Sequence, residues 1–119
     1  MSLADEGEAL IASYLAKHAV NDLDGVLALF QDDATVEDPV GSPIHHGIDA
    51  VRAFYAATHQ RNGPMTIERV GSALHGGSEI AVHVRAALAK PGSPPAMDVI
   101  YVIRVGSLGK IASLRAWFG

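Results

Sequence analysis

The run Glu79-Ile80-Ala81-Val82-His83-Val84-Arg85-Ala86-Ala87-Leu88 places Ile80, Val82, Val84, Ala86 and Leu88 on one side of an extended chain. Glu79, Ala81, His83, Arg85 and Ala87 fall on the other. Strict alternation over this length predicts a half-buried β-strand. Gly76-Gly77 supplies the turn before it, and Lys90-Pro91-Gly92-Ser93-Pro94-Pro95 a longer turn after it. A second alternating run follows, with Met97, Val99, Tyr101, Ile103 and Val105 opposed to Ala96, Asp98, Ile100, Val102 and Arg104. Met65–Leu74 and Ile111–Phe118 read as further strands, so the chain is strand-rich from Gly63-Pro64 to its end.

Upstream the period changes to that of a helix. Ser2-x-x-Asp5 has the form of a capping box, and Leu10, Ile11, Tyr14 and Leu15 follow at helical spacing. Asn21 and Asp24 mark a second start, continued by Leu23, Val26, Leu27 and Phe30, with Gln31-Asp32-Asp33 as the predicted end. A third helix is predicted from about Gly47, with Ile48, Val51 and Tyr55 on one stripe and Phe54 beside it. Between the second and third helices the period drops to two. Ala34, Val36 and Asp38 share one strand face and Thr35 and Glu37 the other, before Pro39 stops the strand. Gly41, Pro43 and Gly47 punctuate the connection that follows, with His45-His46 read as a solvated turn. Helices first and strands afterwards predict an α+β fold, the three helices covering one face of a curved, mainly antiparallel sheet.

At 119 residues, and with no repeat or linker in view, residues 1–119 are expected to form one domain. The lack of cysteine excludes disulfides, thiolate metal sites and a cysteine nucleophile. Nine Lys+Arg against thirteen Asp+Glu give a net charge of −4, which argues against a nucleic-acid or anionic-membrane partner. The longest apolar run, Val99-Ile100-Tyr101-Val102-Ile103, is far short of the roughly 20 residues of a membrane span. The start Met1-Ser2-Leu3-Ala4-Asp5-Glu6 is acidic where a signal peptide is basic, so a cytoplasmic protein is expected. Hydrophobic residues reach 49% and charged ones only 18%. That surplus of apolar side chains needs a large core, a cavity for an apolar ligand or a subunit interface. Ile100 and Val102, on the outer face of their strand, point to an interface and hence to a homodimer.

Asp38 stands out because it shares the core-facing side with Ala34 and Val36, and burying an unpaired carboxylate costs several kcal/mol. A turn residue escaping to solvent at the strand end is the plain alternative. Tyr14, Tyr55 and Tyr101, the only tyrosines, each fall on an inward-facing position. Any one of them reads as a core aromatic; three phenols and a carboxylate converging on one apolar interior suggest acid–base chemistry. The six histidines, His18, His45, His46, His59, His75 and His83, show no metal-ligand spacing, and neither a metal nor a cofactor is expected.

Several segments resemble the bacterial Δ5-3-ketosteroid isomerases: Asp22-Leu23-Asp24-Gly25, then Leu27-x-x-Phe30-x-Asp32-Asp33-Ala34-Thr35-Val36-Glu37-Asp38-Pro39-Val40-Gly41, Phe54-Tyr55, Asp98-Val99-Ile100 and Gly109-Lys110-x-x-Ser113-x-Arg115-Ala116. The likeness runs through nearly the whole chain and is weakest over residues 59–95. It implies the cone-shaped sheet of the nuclear-transport-factor-2-like, SnoaL-like superfamily. It also implies a cofactor-free isomerase acting on 3-oxo-Δ5 steroids or similar β,γ-unsaturated ketones. By that resemblance Asp38 is the base that moves the proton, Tyr14 the donor to the developing oxyanion, and Tyr55 the support of Tyr14. Where the family carries a protonated aspartate as second donor, three residues after the position of Asp98, this chain has Tyr101. Tyr101 is therefore either the second donor or a space-filler. Asp98 falls on the other strand face unless a bulge intervenes. Phe54, Phe30, Val84, Val99, Phe118 and Asp98 complete the expected pocket and its support. A non-catalytic binder of apolar ligands, or another enzyme of the same fold, is the competing reading. Epoxide hydrolases of this fold use an Arg-x-Asp pair that the chain lacks, while cyclisation and hydroxylation stay open.

Overall fold

The computed structural model describes residues 2–119. Helix α1 spans Leu3–Ala19 and opens with the expected capping box: the Ser2 hydroxyl accepts the Asp5 N–H at 3.1 Å, and the Asp5 carboxylate accepts that of Ser2 at 3.4 Å. Its buried stripe is Gly7, Leu10, Ile11, Tyr14 and His18. Gly7 is small for a packing reason, since a Cβ there would lie 3.1 Å from the Ile80 side chain. Helix α2, Leu23–Leu27, is short and capped by Asp22, whose carboxylate accepts the Gly25 N–H at 2.9 Å. Helix α3, Ile48–Asn62, buries Val51, Tyr55 and His59.

Strands β1 (Phe30–Glu37), β2 (His45–His46), β3 (Met65–Arg69), β4 (Leu74–Gly76), β5 (Glu79–Leu88), β6 (Met97–Val105) and β7 (Ile111–Phe118) form one sheet. Their order is β2-β1-β7-β6-β5-β3, with β4 also on β5. Every pairing is antiparallel except β1 with β7, so the sheet is mixed. The two runs that alternate in the sequence pair in register, Ile80 opposite Ile103, Val82 opposite Tyr101 and Val84 opposite Val99. These residues, with Leu114 and Ala116 of β7, make the apolar inner face that packs under the helices in a single core cluster. Among the described residues no helix is long and apolar enough to cross a membrane.

The structure departs from the sequence pattern in five places. The second helix is capped by Asp22 and not by Asn21, which takes a φ of +57° one residue earlier. Phe30 does not extend the second helix. The helix stops at Leu27, and Leu29 already accepts the Ile111 N–H at 2.8 Å, which starts the β1–β7 ladder. Spacings of three and four residues fit one turn of helix and the step into a strand equally well. Gln31-Asp32-Asp33 accordingly lies within β1, which begins four residues earlier than expected. The predicted strand 65–74 is two strands, because Gly71 takes a φ of +79° and turns the chain off β5 after Val70. His45-His46 is no free turn either. It pairs with Thr35 and Val36, and His45 stacks on Phe54 at 4.6 Å.

Candidate active site

Strand β1 ends at Glu37, and the alternation of its side chains turns Glu37 outward and Asp38 inward. Glu37 fixes the turn from outside, accepting the Gly41 N–H at 3.1 Å and the Arg115 Nε–H at 2.8 Å. Those two donors hold its carboxyl below the usual range. Asp38 thereby lines a cavity of about 210 Å³ bounded by α1, α3 and the inner sheet face. Burial raises its pKa from 3.8 to about 6. At neutral pH it is still mostly ionised, and it is a much stronger base than an exposed aspartate.

Facing it are the three phenols. Tyr14 comes from α1, Tyr55 from α3 and Tyr101 from β6, and all three line the cavity. The Tyr14 and Tyr55 hydroxyls are 2.9 Å apart, so each is satisfied although both residues are almost wholly buried. Leaving such a hydroxyl unpaired would cost about 1–3 kcal/mol. The Tyr101 ring meets that of Tyr14 edge-on at 5.3 Å. Burial, above all, raises the pKa of each phenol, and the nearby Asp38 carboxylate raises all three further. All stay protonated at neutral pH, so they are hydrogen-bond donors set beside one base. Negative charge that develops on a ligand oxygen among them would be stabilised without reorganisation.

The remaining expected residues divide. Phe54, Val99 and Phe118 line the cavity with Asp38 and the tyrosines. Phe30 and Val84 do not reach the cavity. Phe30 is buried behind Tyr55, with ring centroids 5.6 Å apart, and Val84 is fully buried beside Val99. Asp98 is not part of the pocket. The β5–β6 ladder runs without a bulge, so odd spacing from Val99 and Tyr101 puts Asp98 on the outer face. There it accepts hydrogen bonds from His83 at 2.8 Å and Arg85 at 3.2 Å, which lower its pKa.

Several cavity residues were not singled out in the sequence. Thr58, Arg61 and Asn62 continue the cavity-facing side of α3 beyond Tyr55, at a spacing that a helical projection from Tyr55 could have found. His18, one turn after Tyr14, also lines the cavity. Its Nδ1 lies 3.0 Å from the Nε2 of His59, one turn after Tyr55. Burial lowers the pKa of both imidazoles, that of His18 to about 3, where the neighbouring His59 adds to the effect. Among the described residues no cluster of three or more His, Cys, Asp or Glu could hold a metal ion.

A family model described as the SnoaL-like domain matches residues 11–114. The chain belongs to the SnoaL-like family. This SnoaL-like protein is 30% identical over 115 residues to the epoxide hydrolase LasB of Streptomyces lasalocidi, a match that covers 89% of this chain and 39% of that one. It is 38% identical over 55 residues to the steroid Δ-isomerase of Nocardioides simplex, covering 46% of this chain and 45% of that one. The chain thus matches less than half the length of either relative. Among solved structures, that of the epoxide hydrolase/cyclase-like enzyme SalBIII, described for pyran ring formation in the polyether salinomycin, superposes with a TM-score of 0.83. It is 27% identical and covers 98% of this chain and 92% of that one. The fold is therefore the α+β, nuclear-transport-factor-2-like one. The likeness to a steroid isomerase, read in the sequence over nearly the whole chain, extends over about half of it. Lack of an Arg-x-Asp pair does not separate the chain from proteins named epoxide hydrolases.

Proposed function

We propose that this SnoaL-like protein is a cofactor-free isomerase that moves a carbon–carbon double bond into conjugation with a ketone. The observation that supports this most is one carboxylate, its pKa raised to about 6 by burial, facing three protonated phenols in an apolar cavity. The Asp38 carboxylate takes a proton from the carbon between the ketone and the double bond. The electrons of that C–H bond shift into a dienolate whose negative charge rests on the former ketone oxygen. Tyr14, with Tyr55 bonded behind it, and Tyr101 donate hydrogen bonds to that oxygen. The Asp38 carboxyl then returns the proton two carbons along, and both the ketone and the carboxylate are restored. The cavity, about 210 Å³, is below the roughly 300–1,000 Å³ of common ligand pockets. It suits a small cyclic β,γ-unsaturated ketone, or the reacting ring of a larger, steroid-like one.

The test follows ultraviolet absorbance of the conjugated product from a cyclic β,γ-unsaturated ketone. Asp38→Asn should lower turnover by about 10²–10⁴ while ligand binding persists, since the amide keeps the shape and loses the base. Near-normal turnover by that variant would remove Asp38 from the mechanism. Binding by the wild type without any turnover would favour a plain carrier of apolar ligands.

The match to LasB and SalBIII over most of the chain favours a second reading, the opening of an epoxide by an internal hydroxyl. Asp38 would take the proton from the attacking hydroxyl as the new C–O bond replaces the epoxide C–O bond, a phenol would give a proton to the freed oxygen, and the Asp38 proton would then return to the phenolate. A hydroxy-epoxide converted to a cyclic ether, with no change in an unsaturated ketone, would select this reading.

A further inference from the structure

Cavity-facing side chains of α3 change character along the helix. Phe54 and Tyr55 lie at the reactive end, Thr58 comes one turn later, and Arg61 and Asn62 follow in the last turn. Apart from Asp38, Arg61 is the only charged residue of the wall among the described residues. It is exposed, as a residue at the mouth should be. Most arginines here are matched to carboxylates: Arg52 to Asp24, Arg69 to Glu8, Arg85 to Asp98 and Arg115 to Glu37. Among the described residues the guanidiniums of Arg61 and Arg104 have no such partner, and of the two it is Arg61 that lines the cavity. The end of α3 would itself hold a cation through the helix dipole, but that role is already taken. Lys90 reaches across and donates its Nζ–H to the Arg61 carbonyl at 3.1 Å. A second cation therefore stands beside an apolar cavity, uncompensated, in a chain of net charge −4.

We propose that Arg61 is a specificity determinant that takes the carboxylate tail of the substrate, making the substrate class a small apolar oxo acid. The inference rests on the proposed isomerase reading and sharpens it. The ketone sits among the phenols, the hydrocarbon body fills the apolar middle, and the carboxylate meets Arg61 at the mouth. A planar carboxylate matches the guanidinium fork with two parallel N–H···O bonds. The adjoining helix end is its negative, C-terminal one and supplies no free N–H groups, so the guanidinium alone holds the anion, and that end opposes a phosphate dianion more than a carboxylate monoanion. Placing the anion at the mouth also keeps it away from Asp38, whose ionised form a nearby negative charge would oppose.

The experiment compares a cyclic β,γ-unsaturated ketone bearing a short carboxyalkyl chain with its methyl ester. In the wild type kcat/KM should favour the acid by about tenfold, carried by KM and shrinking with added salt, as fits a contact at an exposed mouth. Arg61→Gln should bring the acid to the level of the ester. Equal handling of acid and ester by the wild type, or a preference that survives in Arg61→Gln, overturns the proposal. Calorimetry with the saturated acid and its ester keeps the two readings apart. If neither ketone is turned over but the acid still binds more tightly in an Arg61-dependent way, the isomerase reading falls and the anion subsite stands. If both ketones isomerise with no Arg61-dependent difference, the reverse holds.

Discussion

Under the proposed function Asp38 is the base, and its burial carries a cost to the fold. Its pKa is raised from 3.8 to about 6, so folding disfavours the ionised form. The destabilisation is absent below about pH 4, grows as pH rises through the folded pKa, and is complete above it. At 1.36 kcal/mol per unit the full shift is worth up to about 3 kcal/mol. Asp38→Asn should therefore raise the unfolding free energy at pH 8 by up to that amount and have little effect at pH 4, as urea melts at the two pH values would show. An unchanged stability at pH 8 would mean that the carboxylate is well solvated. Tyr101 poses a narrower question. If its hydroxyl donates to the oxyanion, Tyr101→Phe should cut kcat by about a hundredfold with little change in KM, because the bond strengthens as charge develops. If the ring only fills space, Phe should be nearly silent. Asp38 and the tyrosines could be read from the sequence because each is a polar group on an otherwise apolar stripe. Asp98 was misplaced by resemblance, although strand parity had already put it on the outer face. His18 and Arg61 carried a weaker signal, their helical spacing from Tyr14 and Tyr55, and a histidine and an arginine on a helix look ordinary until another element shows which way they face.

Helices α1 and α3 meet through two rungs one turn apart, Tyr14 with Tyr55 and His18 with His59. In each helix the two members are four residues apart and so lie on one face. The second rung ties the geometry of the first to the protonation of two imidazoles. Both have lowered pKa values in the folded state, whereas the unfolded chain takes up protons near pH 6.5. Stability supplied by the neutral pair is thus present above about pH 6.5 and is lost as pH falls below it, for His18 by up to about 1.4 kcal/mol per pH unit. Replacing both residues, His18→Leu with His59→Met, should flatten the fall between pH 6.5 and 5 seen in urea melts of the wild type. Equal slopes would show that the pair does not control acid stability. Elements whose pattern persists were legible, with β5 found at its observed ends because its 10 residues keep one period. Short pieces were less so. The end of five-residue α2, two-residue β2 and the break between β3 and β4 depend on partners distant in sequence, such as the Ile111 N–H that claims the Leu29 carbonyl.

At the scale of the whole molecule, the helices cover one sheet face and leave the other open. That outer face carries Ile100 at 45% exposure and Trp117 at 38%, directly opposite each other on β6 and β7, with Val102 beside them. Arg115 lies over the Trp117 ring at 4.8 Å, and the cluster of His83, Arg85 and Asp98 flanks the apolar strip. A face holding both an apolar strip and neighbouring charges of both signs can match its own copy about a two-fold axis, where each patch meets the other. The expected state is a homodimer through this face, to be measured by sedimentation in the micromolar range. Ile100→Lys with Val102→Glu should yield a folded monomer, because two charges would have to be desolvated for the faces to meet. A wild type that stays monomeric, or a double variant that stays dimeric, would overturn the arrangement. The outer groove beside Trp117 shares Val99 and Phe118 with the wall of the cavity on the other side of the sheet. Covering that groove would hold Phe118, 47% exposed in the single chain, against the cavity. The monomeric variant should accordingly bind a ketone more weakly than the dimer while keeping Asp38 and the phenols in place, a difference that calorimetry on the two proteins would read directly.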